Sequence, residues 1–261
     1  MGIVNLNDDS FYAPSRTSRG NVLEVVGRMV EEGADIIDLG PCSSKPGSVP
    51  VGEEVEWQRL QGVPRLIRDN FPGVQISIDT SYSYVISRAF DEAGPVMVND
   101  ISAGTLDSGL LPLAGKMGLD FVAMHMRGTP QTMGSLTDYT SVTREVLQYF
   151  RDFSIRADAA GVRSWILDPG FGFAKTTEQN YELLHNLKGF GALGRPVLVG
   201  LSRKSMIYKL LAVTPEETLC GTQALLMAAL ERGASILRVH DVKEAARTVK
   251  LYKMLKKSTT I

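Results

Sequence analysis

Short apolar runs rich in β-branched residues recur along the whole chain, and they constrain its fold more than any other feature. There are eight such runs: MGIVNL, DIIDLG, VQISIDT, VMVNDI, DFVAMHM, WILDPG, PVLVGLS and SILRVHD. Each has the length and composition of a strand that is buried on both faces. Segments with the spacing of an amphipathic helix separate them, such as NVLEVVGRMVEEGA and the Ala- and Leu-rich TLCGTQALLMAALERGA. The sequence therefore predicts eight strand-then-helix units.

Eight alternating units in 261 residues favour one type of α/β fold, the closed (β/α)8 TIM barrel. An open doubly wound sheet stays an alternative, because periodicity does not show whether a sheet closes. We find no break in composition and no Ser/Gly-rich linker, so we expect a single domain over residues 1–261. In such a barrel the active site lies at the C-terminal ends of the strands, which makes the residues there the candidates for function.

The composition excludes several classes of function. The formal net charge of −1 creates no overall field that attracts nucleic acid or an anionic membrane, so any anion site must be a local cluster of cations. Two cysteines, Cys42 and Cys220, are too few for a disulfide framework or a structural zinc site and fit a reducing compartment. No apolar run approaches the roughly 20 residues that span a bilayer, and no signal segment follows Met1. We expect a cytoplasmic protein without nucleic-acid or membrane partners.

Polar side chains stand where the predicted strands end. They are Asn5, Asp38, Asp79, Asn99, Asp100, His125, Asp168, Ser202, Arg203, Lys204, Arg238, His240 and Asp241. Asp, Asn and Ser also cap helices after any strand, and for Asp100 and Asp241 we expect only that role. Lys and Arg are poor helix N-caps, so Lys204, Arg238 and Lys45 indicate an anionic ligand.

The carboxylates and amides at the strand ends indicate the rest of the ligand. Asp79, Asn99 and Asp168 end three different strands, and we expect them to converge in the mouth of the barrel. They offer hydrogen-bond acceptors and a mixed donor and acceptor, which suit the edge of a flat, polar heterocycle. One end of the predicted site therefore recognises a ring by hydrogen bonds.

The other end of the predicted site holds an anion. Arg238 and His240 end the last strand, and helix N-termini add partial positive charge. The side-chain oxygen of Asn5 suits Mg²⁺ that is bound largely through a substrate phosphate. No His/Cys cluster offers a zinc site. We expect His125, in AMHMRG, to pack and hydrogen-bond in the barrel mouth rather than to act as a base.

A series of short motifs covers nearly the whole chain in a fixed order. They are MGIVN, DDSF, IDLG, SIDTS, VND, HMRG, LDPGFGF, GLSRKS and RVHD. One such motif alone would be a weak signal, but so many in register are specific. Together they resemble the dihydropteroate synthase family. The resemblance implies a reaction in which 4-aminobenzoate displaces diphosphate from 6-hydroxymethyl-7,8-dihydropterin diphosphate, giving 7,8-dihydropteroate for folate synthesis.

The resemblance also implies roles for individual residues. The positions that bind the pterin match Asp79, Asn99, Asp168, Lys204 and Met124. The positions at the diphosphate match Arg238, His240 and Asn5, of which Asn5 contacts the Mg²⁺-bound diphosphate. The positions that line the 4-aminobenzoate site match Ser202 and Phe173. Homodimerisation through helices late in the chain is a further implication.

The implied mechanism separates charge, because diphosphate leaves before the weakly nucleophilic aromatic amine attacks. Arg238, His240 and Mg²⁺ would hold the departing diphosphate, and Asp79 would stabilise the positive carbon. Lys204, at the end of the seventh strand, would bond the pterin. These four residues are the catalytic candidates, and no covalent enzyme intermediate is predicted.

Two loops depart from the family pattern. The first strand is followed by NLNDDSFYAPSR instead of the common NVTPDSFSDGG, and GPCSSKPG stands where many members have GGESTRPG. Ser44 keeps a hydroxyl and Pro46 keeps a rigid turn, but Lys45 replaces an arginine and lacks its planar fork. These three residues and Asp38 are further candidates for substrate binding.

The altered loops leave two alternatives to an active synthase. One is a pterin-binding relative that has lost catalysis, since sequence does not show whether the substituted loops work. The other is a methyltransferase that acts on methyltetrahydrofolate and a corrinoid protein. Such an enzyme shares the pterin-recognising barrel, but it would not explain SRKS and RVHD as diphosphate-binding motifs.

Overall fold

The computed structural model describes residues 1–6, 20–43 and 47–257, and all eight apolar runs form strands in it. The strands are β1 (Gly2–Asn5), β2 (Ile36–Gly40), β3 (Gln75–Asp79), β4 (Met97–Asp100), β5 (Phe121–Met124), β6 (Trp165–Asp168), β7 (Leu198–Val199) and β8 (Ile236–Leu237). Neighbouring strands pair in parallel from β1 through β6, and β7 pairs in parallel with β8. Sequential strands are therefore spatial neighbours.

Helices follow every strand. Within the described ranges they are α1 (Val22–Glu31), α2 (Glu53–Leu60), α3 (Val63–Asn70), α4 (Ser83–Ala93), α5 (Leu110–Met117), α6 (Val142–Ala159), α7 (Thr177–His185), α8 (Ser205–Leu211), α9 (Leu219–Glu231) and α10 (Val242–Lys257). The connections after β2 and β7 contain two helices each, so the pattern is richer than one helix per strand. None of these helices is long and apolar enough to cross a membrane, as far as the described residues go.

Backbone contacts at two junctions close the sheet into a barrel. The amide of Leu167 on β6 donates to the carbonyl of Pro196, 3.0 Å away, beside a parallel bridge to Val197. At the other junction the amide of Ile3 on β1 donates to the carbonyl of Val239, also at 3.0 Å. The ring is thus β1 to β8 and back to β1, which confirms the (β/α)8 barrel and excludes the open sheet.

Buried side chains form two layers, one on each face of the barrel wall. The small layer inside the barrel contains Ile36, Met97, Val122, Ile166 and Leu198. The large layer lies between the strands and the helices and includes Ile37, Val98, Phe121 and Leu167. Full burial of one such side chain contributes roughly 1.5–3 kcal/mol. The interior layer fills the lower barrel, so a ligand site must lie above it, at the strand ends.

Candidate active site

Side-chain alternation along the strands explains which residues reach the mouth of the barrel. Successive side chains of a strand point to opposite faces, so residues two positions apart share a face. The residues two positions beyond the interior layer are Asp38, Asn99, Met124, Asp168 and, after Ile236, Arg238. They lie above that layer at the C-terminal end. The alternation therefore brings five sequence-predicted site residues to one place.

A partly buried guanidinium joins two carboxylates at the centre of this mouth. Arg238 donates from Nε to Asp38 Oδ2 and from Nη2 to Asp79 Oδ2, both at 2.7 Å. Asn99 Nδ2 donates to the two oxygens of Asp38 at 3.2 and 3.1 Å, and Ser77 Oγ donates to Asp38 Oδ1 at 2.6 Å. Asp38 is completely buried. Removing one member of such a buried pair costs about 3–5 kcal/mol because a charge is left without its partner.

The surroundings give these groups unusual proton affinities. Burial raises the pKa of Asp79 to about 7, although Arg238 acts in the opposite direction, and the negative charges of Asp38, Glu56 and Asp100 add to the rise. Burial also acts to lower the pKa of Arg238, but Asp38 and Asp79 outweigh it and raise that pKa above its ordinary value. The mouth therefore holds a permanent cation beside a carboxyl group that titrates near neutral pH.

Lys204 lies on the opposite side of the mouth, against the loop that follows β6. Its Nζ donates to the carbonyl oxygen of Phe171 and lies 4.7 Å from the centre of the Phe173 ring. A Cβ at Gly172 would come 3.3 Å from Lys204 Cδ, so the glycine lets the loop approach closely. Burial lowers the pKa of Lys204 to about 8, with Asp168 acting in the opposite direction. The ammonium is thus placed among an aromatic face, a carbonyl and a carboxylate.

The end of β8 is tied to the loop after β7 by two side-chain pairs. Ser202 Oγ lies 3.0 Å from His240 Nδ1, and the backbone amide of His240 donates to Ser202 Oγ at 3.4 Å. Arg203 donates to both carboxylate oxygens of Asp241, at 2.6 and 3.3 Å. The expectation that Asp241 serves only as a helix cap is wrong, because it forms this ion pair.

Asp100 and Asp168 both organise the turn that follows their own strand. Asp168 Oδ1 accepts a hydrogen bond from the amide of Gly170 at 2.8 Å. Asp100 accepts from the amides of Ser102 and Gly104 at 2.8 and 2.6 Å. The local turn role expected for Asp100 is confirmed. Asp168 has a further interaction, because burial raises its pKa and the charge of Lys204 acts in the opposite direction.

Sequence reasoning missed a buried carboxyl on α2, beneath the loop that follows β2. Glu56 is 5% exposed and accepts a hydrogen bond from Thr80 Oγ1 at 2.5 Å. Burial raises the pKa of Glu56 to about 7, which the Thr80 hydrogen bond partly offsets. Arg59, on the next turn, donates to the carbonyl of Pro41 at 2.7 Å. The four-residue spacing from Glu56 to the buried Leu60 is the one sequence signal that marks it as inward-facing.

Asn5 is the predicted metal ligand, through its side-chain amide oxygen. Asn5 ends β1, and its Oδ1 lies 3.3 Å from the position of a Cβ built on Gly40. The described residues contain no group of three or more His, Cys, Asp or Glu side chains that could hold a metal. One amide oxygen is compatible with Mg²⁺ that takes its other ligands from substrate phosphate and water.

Three predicted substrate-binding residues, Ser44, Lys45 and Pro46, lie outside the described residues, as does most of the loop after β1.

Comparisons with known proteins cover nearly the whole chain. The model of the pterin binding enzyme family matches residues 1–240. The dihydropteroate synthase of Escherichia coli K12 is 41% identical over 254 residues, covering 96% of this chain and 89% of the relative. The chain belongs to the dihydropteroate synthase family.

Solved structures of dihydropteroate synthases agree in fold. The Yersinia pestis enzyme in a sulfonamide drug complex has a TM-score of 0.92 at 35% identity, covering 98% of this chain and 93% of that one. The Thermus thermophilus enzyme in complex with 4-aminobenzoate has a TM-score of 0.86 at 38% identity, with the same coverage. The expected family, barrel and enzyme class are confirmed. As a dihydropteroate synthase, the chain condenses a dihydropterin diphosphate with 4-aminobenzoate; the roles of its individual residues stay predictions.

Proposed function

We propose that the barrel mouth binds 6-hydroxymethyl-7,8-dihydropterin diphosphate with its ring among Asp79, Asn99 and Asp168 and its diphosphate toward Arg238 and His240. The observation that carries this assignment is the Arg238 guanidinium held between two carboxylates at the strand ends. A ring edge that presents both N–H donors and a carbonyl acceptor matches this mixture of charges.

The ring is recognised by groups of fixed polarity. Carboxylates of Asp79 and Asp168 accept hydrogen bonds from ring nitrogens, Asn99 donates and accepts, and the Lys204 ammonium donates. Met124, which is 4% exposed at the end of β5, packs on the ring face. Because these groups are already held by β3, β4, β5, β6 and the loop after β7, little reorganisation accompanies binding.

The diphosphate is held by hydrogen-bond donors at the end of β8. Arg238 uses Nε and Nη2 on the two carboxylates, and no described residue accepts a hydrogen bond from its Nη1. The Nη1 hydrogens therefore serve the anion, while Asp38 and Asp79 keep the guanidinium plane in place. His240, fixed by Ser202, supplies a second donor.

Bond cleavage precedes bond formation in the proposed reaction. The carbon–oxygen bond to diphosphate breaks with its electron pair on the departing oxygen, and the exocyclic methylene of the pterin becomes positive. Arg238 and His240 stabilise the leaving charge, and Asp79, in its ionised form, stabilises the methylene cation. The amine of 4-aminobenzoate then attacks and loses one proton, which completes 7,8-dihydropteroate.

Asn5 is the residue proposed to hold Mg²⁺, through its amide oxygen. The ion, when bound with diphosphate, neutralises phosphate charge and makes diphosphate a better leaving group. A position for 4-aminobenzoate is proposed beside Ser202 and Phe173, with Ser44, Lys45 and Pro46 as further substrate-binding residues. The solved T. thermophilus relative in complex with 4-aminobenzoate supports such a site.

The proposal is tested by diphosphate release from the dihydropterin diphosphate, with and without 4-aminobenzoate and Mg²⁺, together with detection of dihydropteroate by mass. We expect release that matches product formation and depends on both additions. Tight pterin binding without product would instead indicate a relative whose loops no longer assemble the second-substrate site. Methyl transfer from methyltetrahydrofolate is not expected.

We also propose a cytoplasmic homodimer built on the late helices. α9 lies between α8 and α10: a Cβ at Gly221 of α9 would meet Ile207 and Leu211 of α8, and α9 packs along α10. Leu251 and Leu255 on α10 are 63% and 57% exposed, which suits an apolar contact with a second copy. The two cysteines are free thiols, in keeping with a reducing compartment.

A further inference from the structure

A buried lysine lies directly behind the loop that carries Phe171 and Phe173. Lys175 is 8% exposed, and its Nζ lies 2.9 Å from the carbonyl oxygens of Gly170 and Phe173. The same Nζ lies 3.0 Å from His125 Nδ1. Three partners therefore surround Nζ, and burial holds the pKa of Lys175 well below its ordinary value, with the charge of Asp168 acting in the opposite direction.

The partners of Lys175 fix its donor role. Carbonyl oxygens only accept, so Nζ donates to both Gly170 and Phe173. Burial, together with the charges of Lys175 and Arg127, holds the pKa of His125 well below its usual range, so the ring stays neutral and its Nδ1 is a hydrogen-bond partner of Nζ. Among the described residues no carboxylate lies within 4.0 Å of Nζ. A lysine used only as a surface charge would not be placed in this way.

His125 is itself held in a fixed orientation. Its ring packs edge-on against Tyr149, with ring centres 4.8 Å apart and planes at 88°. The amide of His125 donates to the carbonyl of Asp168 at 2.9 Å. A Cβ at Gly170 would come 2.0 Å from the His125 carbonyl oxygen, so the loop lies directly on the end of β5. His125 thus packs and hydrogen-bonds, as expected from the sequence.

The front of the same loop contacts the proposed pterin lysine. Phe171 offers its carbonyl oxygen to Lys204 Nζ, and the Phe173 ring lies 4.7 Å from that nitrogen. We propose that Lys175, with His125 as its hydrogen-bond partner, is a positioning residue that holds the Gly170–Phe173 loop in place and thereby sets Lys204 for the pterin and Phe173 for the second substrate. This inference rests on the proposed function and assigns no contact between Lys175 and substrate.

Calorimetric binding of 6-hydroxymethyl-7,8-dihydropterin diphosphate to the full chain, with Mg²⁺ and without 4-aminobenzoate, tests the coupling. Lys175→Met should weaken affinity about tenfold, because the loop loses its anchor while the pterin ligands remain. In a Lys204→Ala background the same change should add less than about twofold, since Lys204 is the group that the loop positions. Multiplicative effects of the two substitutions, or no effect of Lys175→Met, would overturn the proposal.

A second pair of variants separates positioning from stability. His125→Asn keeps an acceptor near the Nδ1 position and should retain most of the affinity, whereas His125→Leu should weaken binding as Lys175→Met does. Phe153→Leu, on the outer face of the barrel, lowers stability without touching the loop and should leave affinity unchanged. If Lys175→Met does not fold, the comparison of His125→Asn with His125→Leu tests the positioning role instead. Equal pterin affinity of these two variants rejects that role.

The wild-type chain distinguishes the two levels of inference. Absence of pterin diphosphate binding and of dihydropteroate formation in the wild type would reject the proposed function, and the positioning role with it. Normal wild-type activity with unchanged Lys175→Met and His125→Leu affinities would reject the positioning role alone.

Discussion

Two ionisable side chains in the barrel mouth set opposite pH limits on substrate binding. The pKa of Asp79 is raised to about 7, so its carboxylate gains a proton as pH falls through that value. The pKa of Lys204 is lowered to about 8, so its ammonium loses a proton as pH rises through that value. Both residues are proposed to bind the pterin in their charged forms, which coexist best between these two values.

We therefore expect kcat/KM for the dihydropterin diphosphate to fall on both sides of this range. Asp79→Asn should remove the acidic limb and Lys204→Met the basic limb, each with a lower plateau. The measurement is a pH profile of kcat/KM for the three proteins. An acidic limb that persists in Asp79→Asn would assign it to another group, and Glu56, with a pKa raised to about 7, would be the first to test.

Arg238 permits a test of geometry at constant charge. Arg238→Lys keeps a cation but cannot bond Asp38 and Asp79 while also presenting donors to the diphosphate. We expect kcat/KM to fall about 10²- to 10³-fold, in the range seen when one stabilising donor is removed from a reacting anion. Arg65→Lys, which alters the exposed pair with Asp69, is the matched control and should be neutral. A loss below about fivefold would reject the role of the guanidinium fork.

At the scale of elements, the loop after β6 depends on a glycine that no other residue replaces. Gly170 has φ +71°, and a Cβ there would lie 2.0 Å from the carbonyl oxygen of His125. Gly62 has a similar φ of +82° with nothing within 4 Å of its Cβ position. Comparing alanine substitutions at Gly170 and Gly62 therefore separates the free-energy cost of the steric clash from the cost of a positive φ.

Gly62→Ala is accordingly expected to cost about 1 kcal/mol of unfolding free energy, and Gly170→Ala at least about 2 kcal/mol more because the loop must move. Urea denaturation, analysed with one m-value for all variants, measures both changes in unfolding free energy. Gly170→Ala should also lower pterin affinity, while Gly62→Ala should not. Equal destabilisation by the two substitutions would mean that the loop shifts without strain.

Sequence patterns predict the secondary-structure elements better than they predict which side chains contact each other. All eight strands were found, because runs buried on both faces are distinctive. The strand-end positions of Asp79, Asn99, Asp168 and Arg238 followed from where those runs end in the sequence. The role of Lys175 was not predictable, since a lysine that folds back on its own loop leaves no periodic trace.

Closure of the barrel and the second helix after β2 and β7 were also beyond the sequence patterns. Closure depends on tertiary contacts, such as those of Ile3 with Val239 and of Leu167 with Pro196. The family motifs added the roles implied for the strand-end residues, which periodicity does not indicate.

At the scale of the whole molecule, the exposed leucines of α10 give the test of assembly. Leu251→Glu with Leu255→Glu should convert a dimer into monomers, because two charges would be buried in an apolar contact. Light scattering after size exclusion measures the mass. Ile155→Glu, which replaces an apolar side chain 69% exposed on α6, is the control and should leave the mass unchanged. A monomeric wild type, or a dimer that tolerates both charges, would contradict the proposed interface.

The bonds from Arg238 to Asp38 and Asp79 have a consequence for how the enzyme becomes active during folding. They connect residues 200 and 159 positions apart in the chain, from the last strand to the second and third. A partly folded chain that lacks β8 holds these carboxylates without their cation and has no proposed diphosphate site. Contacts at such sequence separation form late because loop closure opposes them. During refolding, catalytic activity should therefore return only after β8 has closed the barrel. The rate at which activity recovers would report the rate of that final folding step.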